Sequence, residues 1–356
     1  MASQILATRP STSLSARFRM PVLLGVMAGL LLGGCGGGDA TPVSQPSETP
    51  PSIHTTPPIS AVEPGEATIR STVDERAEQR FALPGGPDWL AADDNAVWVK
   101  RDEGTVDRID PATNQITSLW VPPREEGKLG PVCQGIGAGP EGVWACTGGG
   151  IARIAPDNSE IVTTVAVQKI FDQGHIGVGH GHAWVLTGDG STLVGVSSET
   201  DTIEKTIDLG VRCTDLAVND DALWIVCLPE DLVLRVDPDR GEITDRIGGL
   251  DSPQRISVAA DVWVAYKGHL ARIDPKTSTV SDAVETTPGA VEAIFATDDR
   301  VWLRSHGRFL RTIDADTLAV VEEISAPEQS AGDVVAAFGS VWASAFDDAV
   351  VYRLRW

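Results

Sequence analysis

The sequence has little positive charge and, beyond its first 27 residues, no methionine. Its 356 residues include 28 lysines and arginines against 50 aspartates and glutamates, and the formal net charge is −22. Nucleic acids and anionic lipid surfaces repel such an acidic chain, so both are poor partners for it. Without methionine, most of the chain also lacks the thioether ligand that soft metal ions prefer.

Helical periodicity and the short motifs of common enzymes are missing as well. Between its short apolar runs the chain has no segment with the 3.6-residue repeat of an amphipathic helix. We find no nucleophile elbow, phosphate loop or zinc-protease helix. The glycine-rich run 135–139 is not a dinucleotide-binding loop, because a turn and a strand-like segment follow it instead of a helix.

Seven tryptophans recur along the chain at intervals of 46, 40, 40, 39, 39 and 40 residues. They are Trp98, Trp144, Trp184, Trp224, Trp263, Trp302 and Trp342. A period near forty residues is typical of a radial repeat, and the copy at 214–247 contains four short strand-like runs. We therefore predict an all-β fold, a seven-bladed β-propeller of four-stranded antiparallel blades, with each repeated tryptophan wedged between blades. Trp89 and Trp120 break the period and are candidates for a role at the rim.

The ends of the repeat predict how the ring closes. The last copy has only three strand-like runs, whereas a spare run at 78–83 precedes the first copy. We expect this N-terminal strand to complete the seventh blade and to remove an exposed sheet edge.

The third strands share an ending, which is Arg-Ile-Asp-Pro or a close variant in most copies. An aspartate there can accept hydrogen bonds from the amides of the following turn, and proline ends the strand ladder. The third copy departs from this pattern with the run 194–198, Val-Gly-Val-Ser-Ser, in which only a serine is left to cap the turn.

The N-terminal region is typical of an export signal. Arg9, Arg17 and Arg19 precede the apolar run 22–32, which is too short for a comfortable membrane span. The run ends in Leu32-Gly33-Gly34-Cys35, which resembles a bacterial lipobox, whose cysteine becomes the acylated first residue. We predict a lipoprotein signal peptide at 1–34, with the mature chain anchored to the outer face of the cytoplasmic membrane. An ordinary signal peptide with an incidental cysteine is the alternative.

Residues 35–75 are rich in Gly, Pro, Ser and Thr, so we predict a disordered tether there and the propeller at 76–356. Removal of the three arginines of the signal peptide takes the formal charge from −22 to −25.

Four further cysteines form two similar pairs. Cys133 and Cys146 flank the turn before one repeated tryptophan, and Cys213 and Cys227 flank the turn before another. In an exported protein this spacing predicts disulfides Cys133–Cys146 and Cys213–Cys227. A four-thiolate metal site is the alternative, and it requires sulfurs from separate blades to converge.

Function is expected on the face where first strands begin, because two sets of loops meet there around the axis. The residues that enter the seven first strands, which we call the mouth residues, are Asp88, Gln134, His175, Asp215, Arg255, Glu292 and Asp333. Nearby loops between second and third strands add Lys100, Arg101, Tyr266, His269, Arg304 and His306. Such a set suits a polar ligand or a hard cation such as Ca²⁺ or Mg²⁺. The alternative is a channel mouth that tolerates polar residues because it is wet.

His180 and His182 lie in a turn on the opposite face, where we expect them to be solvated.

The phrases Ala96-Val97-Trp98-Val99 and Arg108-Ile109-Asp110-Pro111 resemble the repeats of bacterial seven-bladed propellers of the YncE-like and streptogramin B lyase-like group. The resemblance covers residues 78–356. Streptogramin lyases open a cyclic depsipeptide by elimination, with a histidine base and carboxylates that hold Mg²⁺. That activity implies a catalytic set of His269, His306 and Glu292 in this chain, although no local motif maps the lyase residues one by one.

A shared fold hosts many functions, so we expect a monomeric module that binds a protein, peptide or glycan of the cell envelope. A Mg²⁺-dependent lyase or a lactonase is the alternative.

Overall fold

Short strands joined by tight turns build seven small antiparallel sheets around one axis. In this computed structural model the described residues are 53–55, 69–122, 134–171, 174–286, 290–305, 308–326 and 330–356. All of them belong to the unit Pro50–Trp356. The predicted signal peptide, the acylated Cys35, most of the tether, Cys133 and His306 lie outside the described residues.

Six blades each use four consecutive strands, ordered from the axis outwards. Blades 1 to 3 are Pro87–Ala92, Val97–Arg101, Thr105–Ile109, Ile116–Trp120; Ile136–Gly139, Gly142–Thr147, Gly150–Ile154, Ile161–Ala166; and Gly177–Gly179, His182–Thr187, Thr192–Ser197, Ile203–Asp208. Blades 4 to 6 are Asp215–Val218, Leu223–Cys227, Leu232–Asp237, Glu242–Gly248; Pro253–Val258, Val262–Tyr266, His269–Asp274, Thr279–Glu285; and Val291–Ala296, Arg300–Ser305, Arg308–Asp314, Val320–Ser325. The predicted four-stranded repeat is confirmed.

Blade 7 combines the two ends of the propeller. Its inner strands are Val334–Ala337, Ser340–Ala345 and Val350–Arg355, and its outer strand is Ala77–Ala82, which pairs antiparallel with Val350–Arg355. Phe81 of this outer strand is buried, and its ring stacks on Trp342 at 5.6 Å between centroids. The predicted closure by an N-terminal strand is therefore confirmed.

Two short strands precede the closing strand and add to the outside of the ring. Ile53–Thr55 pairs parallel with the outer strand of blade 4, and Ile69–Thr72 pairs parallel with that of blade 6. A helical turn follows at Val73–Arg76, with Thr72 and Glu75 forming a capping box. Where it is described, the interval predicted to be a disordered tether thus contains secondary structure.

Helix is otherwise limited to the 3-10 turn Leu228–Glu230 in the described residues. None of the helices in this part of the chain is long and apolar enough to cross a membrane.

The seven repeated tryptophans are almost completely buried. They pack with apolar side chains of the next blade, as Trp184 does with Leu216 and Leu223 of blade 4. In four blades an arginine of the third strand lies over the tryptophan ring, with 5.2 to 6.0 Å between the guanidinium carbon and the centroid. Burial and packing of this kind confirm the predicted role as wedges.

The third-strand endings cap the turns as predicted. The Asp110 carboxylate accepts hydrogen bonds from the amides of Ala112 and Thr113 at 2.8 and 2.9 Å. In blade 3 the Ser197 hydroxyl replaces the carboxylate and accepts from Glu199 and Thr200, both at 3.3 Å. The turn is therefore kept in blade 3, but with weaker, uncharged acceptors.

A disulfide joins Cys213 to Cys227 across the first hairpin of blade 4, which confirms that predicted pair. Cys146 is also disulfide-bonded.

Candidate functional site

The first strands of all seven blades line a central channel of about 240 Å³. Small and apolar residues such as Ala91, Gly137 and Val258 form most of its wall, while His175 and Asp333 bring charge to it. The four strands of a blade alternate in direction, so each blade ends, and the next first strand begins, at the same end of the ring. The mouth residues therefore surround one opening.

His175 occupies the axis of this opening. Its Nδ1 lies 2.6 Å from an Asp215 carboxylate oxygen of blade 4, and its Nε2 lies 3.9 Å from Asp333 of blade 7. The edge of Trp89, from blade 1, packs against the imidazole with 4.5 Å between ring centroids. One histidine of blade 3 thus contacts side chains of three other blades.

The two aspartates also fasten neighbouring blades through backbone amides. Asp215 accepts from Ile256 of blade 5 at 3.1 Å, and Asp333 accepts from Leu90 of blade 1 at 2.9 Å. Burial alone would lower the pKa of His175, but the carboxylates of Asp215 and Asp333 raise it to about 10. The imidazole is therefore a cation at neutral pH and cannot serve as a general base.

Asp88 is an acid of the mouth whose pKa is strongly raised. Burial, together with the negative charges of Asp102, Asp333 and Glu292, raises its pKa to about 7, although Arg255 acts in the opposite direction. Arg255 is directed to the next blade, because its Nε donates to the Glu292 backbone carbonyl at 2.6 Å. The Asp88 side chain is only partly buried, so a ligand can reach it.

The junction of blades 1 and 2 adds a second group of polar residues. The Gln134 amide donates to Asp102 at 2.9 Å. Lys100 is buried without a hydrogen-bond partner for its Nζ, and burial lowers its pKa to about 8. The indole N–H of Trp89 is also buried and unpartnered. Because Trp89 and Lys100 are paired across two strands, both unpartnered donors point to the same side of blade 1.

Other candidate residues are used in local contacts. Arg101 pairs with the buried Asp107 at 2.6 Å. Arg304 is buried and donates to the carbonyls of Ser330 and Ser344 at 2.9 and 2.8 Å. His269 stacks on Tyr266, and its Nδ1 lies 3.0 Å from the Lys267 carbonyl oxygen.

Of the expected catalytic set, His269 and Glu292 lie within the described residues, so the set as a whole stays a prediction. The described contacts of His269 include no carboxylate, and His306 lies outside the described residues. Among the described residues, no group of three or more His, Cys, Asp and Glu is placed to hold a metal ion.

Two residues of the site are not evident from the sequence. Asp102 directly follows two cations, Lys100 and Arg101, and its position in their loop is the one signal that could have identified it. Ser344 lies in a second strand, where its hydroxyl donates to the Asp88 carbonyl at 2.6 Å and accepts from the Asp333 amide at 2.7 Å. No sequence motif distinguishes this serine.

Trp89, named as a rim candidate, does reach the site, whereas Trp120 is exposed at the end of an outer strand.

Comparisons with known proteins support the architecture. No protein-family model matches the chain, and no curated protein matches its sequence. A catalytically inactive variant of virginiamycin B lyase from Staphylococcus aureus, solved with quinupristin, superimposes with a TM-score of 0.64 at 16% identity, over 78% of this chain and 98% of that chain. BamB from Moraxella catarrhalis gives 0.52 at 11% identity, over 79% and 98%. The Neurospora crassa Pan2 WD40 domain gives 0.62 at 11% identity, over 80% and 97%. The chain is thus a seven-bladed β-propeller that resembles streptogramin B lyase in fold.

Proposed function

We propose that the protein is a membrane-anchored, extracytoplasmic propeller that binds a protein, peptide or glycan at its axial mouth. The observation that carries this proposal is the partly buried Asp88 carboxyl, whose pKa is raised to about 7. Perturbed acids at a concave opening are typical of binding and catalytic sites.

The charges around Asp88 favour a ligand with a basic or hydrogen-bond-donating group. Asp102, Asp333 and Glu292 all raise the pKa of Asp88, while Arg255 is the cation that lowers it. A ligand ammonium or guanidinium group placed there would relieve the repulsion among these acids and would keep Asp88 ionised. A lysine or arginine side chain of a protein or peptide fits this requirement better than a neutral glycan.

The anchor rests on the N-terminal sequence. An arginine-containing start, an apolar run and a lipobox-like Leu32-Gly33-Gly34-Cys35 support export and acylation. The ring would then face the periplasm or the cell exterior, where the Cys213–Cys227 disulfide is stable.

The Mg²⁺-dependent lyase or lactonase alternative rests on likeness of fold alone. It requires a histidine base near carboxylates that hold a metal, whereas the described contacts of His269 are to Tyr266 and Lys267.

The proposal is tested by substitution of Asp88. Capped peptides with and without a lysine or arginine side chain, and neutral oligosaccharides, are screened for binding to the soluble chain by calorimetry. Asp88→Asn should weaken the binding of the basic peptides roughly tenfold. A change of this size is typical of the loss of one partly buried charged contact. The matched control, Asp94→Asn, removes the same charge from an exposed turn of blade 1 at the other end of the ring.

Stability gives an independent readout for the same variant. The pKa of Asp88 in the fold, about 7, lies above its ordinary value of 3.8. The protonated carboxyl therefore favours the folded state, and this stabilisation is lost as pH rises through 7. Asp88→Asn should therefore raise the free energy of unfolding at pH 8 by about 2 kcal/mol, after allowance for solvent screening, and by much less at pH 4.

Equal losses of binding in Asp88→Asn and Asp94→Asn would contradict the axial site. A large thermal shift with Mg²⁺ or Ca²⁺, together with a co-purifying metal, would favour the lyase alternative.

A further inference from the structure

A second cavity lies between blades 2 and 3, on the face opposite to the axial mouth. Its volume is about 540 Å³, which falls in the range of small-molecule sites. Its wall includes the polar residues Glu141, Arg153, His182, Ser198, Glu199 and Glu204. It shares no residue with the axial channel, so it needs an explanation of its own.

Blade 3 departs from the repeat at this corner of the ring. At three other junctions the third-strand arginine of one blade donates to a backbone carbonyl of the next blade: Arg108 to Pro156, Arg272 to Ala315 and Arg353 to Pro111. At the blade 2 to blade 3 junction, Arg153 donates instead to the Asp201 side chain at 3.0 Å. Ser198 occupies the position that is proline or alanine in the other copies, and its carbonyl does not accept a hydrogen bond from the Arg153 guanidinium. The cavity lies at this junction.

The tryptophan alignment shows a second departure. His182 precedes Trp184 by two residues, a position that is Ala, Gly, Asp, Arg or Ser in the other copies. It is not the solvated turn residue that we expected, because only 13% of its side-chain surface is exposed. Its ring lies 5.2 Å from that of Trp184.

Two polar atoms at the cavity, Glu141 Oε2 and Ser198 Oγ, are buried without a hydrogen-bond partner. Buried polar atoms in proteins are normally paired, so these two require a partner.

The missing partner must be a donor, because the open carboxylate oxygen of Glu141 can only accept. The other oxygen of Glu141 is already used, by the Gly181 amide at 3.0 Å. His182 offers no second open acceptor, since its Nδ1 lies 2.6 Å from the His180 carbonyl oxygen and its Nε2 lies 3.5 Å from a Glu204 carboxylate oxygen.

The size of the cavity decides between a metal ion and an organic cation. No His, Cys, Asp and Glu group among the described residues converges closely enough for a metal, and 540 Å³ is far larger than an ion. The arginine in the wall is already paired with Asp201.

We propose that this cavity is a second binding site for an organic cation, the ammonium or guanidinium group of a small molecule or of a basic peptide side chain. The cation donates to Glu141 Oε2, the carboxylates of Glu199 and Glu204 attract it, and Ser198 Oγ bonds its neighbouring polar group. The proposal is independent of the axial site.

The test uses calorimetry on the soluble chain with agmatine as the free amine and guanidine, and with a capped arginine peptide as the peptide source. Binding should be saturable at physiological ionic strength, and Glu141→Gln and Glu204→Gln should each weaken it roughly tenfold. Glu160→Gln is the matched control, because it removes an exposed charge of blade 2 outside the cavity. It should change affinity less than twofold.

The two probes separate the sources. Tighter binding of agmatine supports a small-molecule ligand, and tighter binding of the peptide supports a protein partner; both place a cation in the cavity. Absence of saturable binding by either probe, or an equal loss in Glu160→Gln, would overturn the proposal. Cooperative melting of each variant excludes misfolding as the cause, and Asp88→Asn should leave this binding intact.

Discussion

At the scale of single residues, His175 is the central contact of the axial site. Its imidazole pairs with Asp215 on one side and faces Asp333 on the other, while Trp89 packs against the imidazole. A histidine at a ring mouth is an obvious candidate for a base, and the geometry assigns it another role. It is an ion-pair partner that joins blade 3 to the adjacent blade 4 and that also reaches blades 7 and 1.

The charge of His175 makes the stability of the ring depend on pH. Its pKa rises from an ordinary 6.5 to about 10 in the fold, so its contribution is complete below pH 6.5 and is lost as pH rises through 10. His175→Gln leaves buried carboxylates unpaired and should cost about 3 kcal/mol at pH 6. Chemical denaturation of both proteins from pH 6 to 10 should show this difference shrinking steadily.

A double-mutant cycle separates the ion pair from loss of packing. His175→Gln and Asp215→Asn together should cost clearly less than the sum of the single changes, because each removes the same pair. Additive costs, or a difference that does not change with pH, would contradict the assignment.

At the scale of strands and blades, the closing strand Ala77–Ala82 determines whether the ring is complete. Phe81 and the adjoining Leu83 are buried, and the Leu83 amide donates to the Ala349 carbonyl at 2.8 Å. Burial of two such side chains contributes about 4 kcal/mol, which is a large share of the stability of an ordinary domain.

Truncation tests this closure. A chain that begins at Gly85 lacks the strand and should lose cooperative thermal unfolding, because blade 7 then exposes an edge and the Trp342 wedge. A chain that begins at Ala77 lacks the two earlier strands and the helical turn Val73–Arg76, keeps the closing strand, and should still unfold in one transition. A cooperative melt of the Gly85 chain near the temperature of the Ala77 chain would disprove closure by this strand.

The repeat explains why so much of the fold was predictable from sequence. Seven tryptophans at one spacing define seven equivalent blades, and a three-stranded last copy implies a strand from elsewhere. The mouth residues follow from the same alignment, since position within the repeat fixes where each lies. The roles of Asp102 and Ser344 could not be predicted, because they depend on neighbours in three dimensions that the repeat does not show. The cavity at His182 could not be predicted either, because it depends on the hydrogen bond between Arg153 of blade 2 and Asp201.

At the scale of the whole molecule, an acidic ring follows an N-terminal region with the features of a lipid anchor. The net charge of the whole chain is −22, and it becomes −25 when the three arginines of the predicted signal peptide are removed. Such a charge favours basic ligands at long range. Both the axial mouth and the cavity between blades 2 and 3 are rich in carboxylates. In our two proposals the net charge attracts cationic ligands, and the two sites select among them.

A pair of cysteine variants separates anchoring from folding. Cys35→Ser should move the protein from the membrane fraction to the soluble fraction of the producing cell, with an unchanged melting temperature, because acylation requires the thiol. Cys213→Ser should leave the protein in the membrane fraction and reduce its stability by about 3 kcal/mol through loss of the disulfide. Retention of Cys35→Ser in the membrane fraction would contradict lipid anchoring.

The parallel strands on the outside of blades 4 and 6 have a mechanical consequence for the membrane anchor that we propose. Tension applied from Cys35 reaches Ile53–Thr55 first, then Ile69–Thr72, and only afterwards the closing strand of blade 7. Each pairing must be pulled away before the load passes to the next. The two short strands would therefore separate one after the other under load. The closing strand of blade 7 would stay paired until both of them had separated.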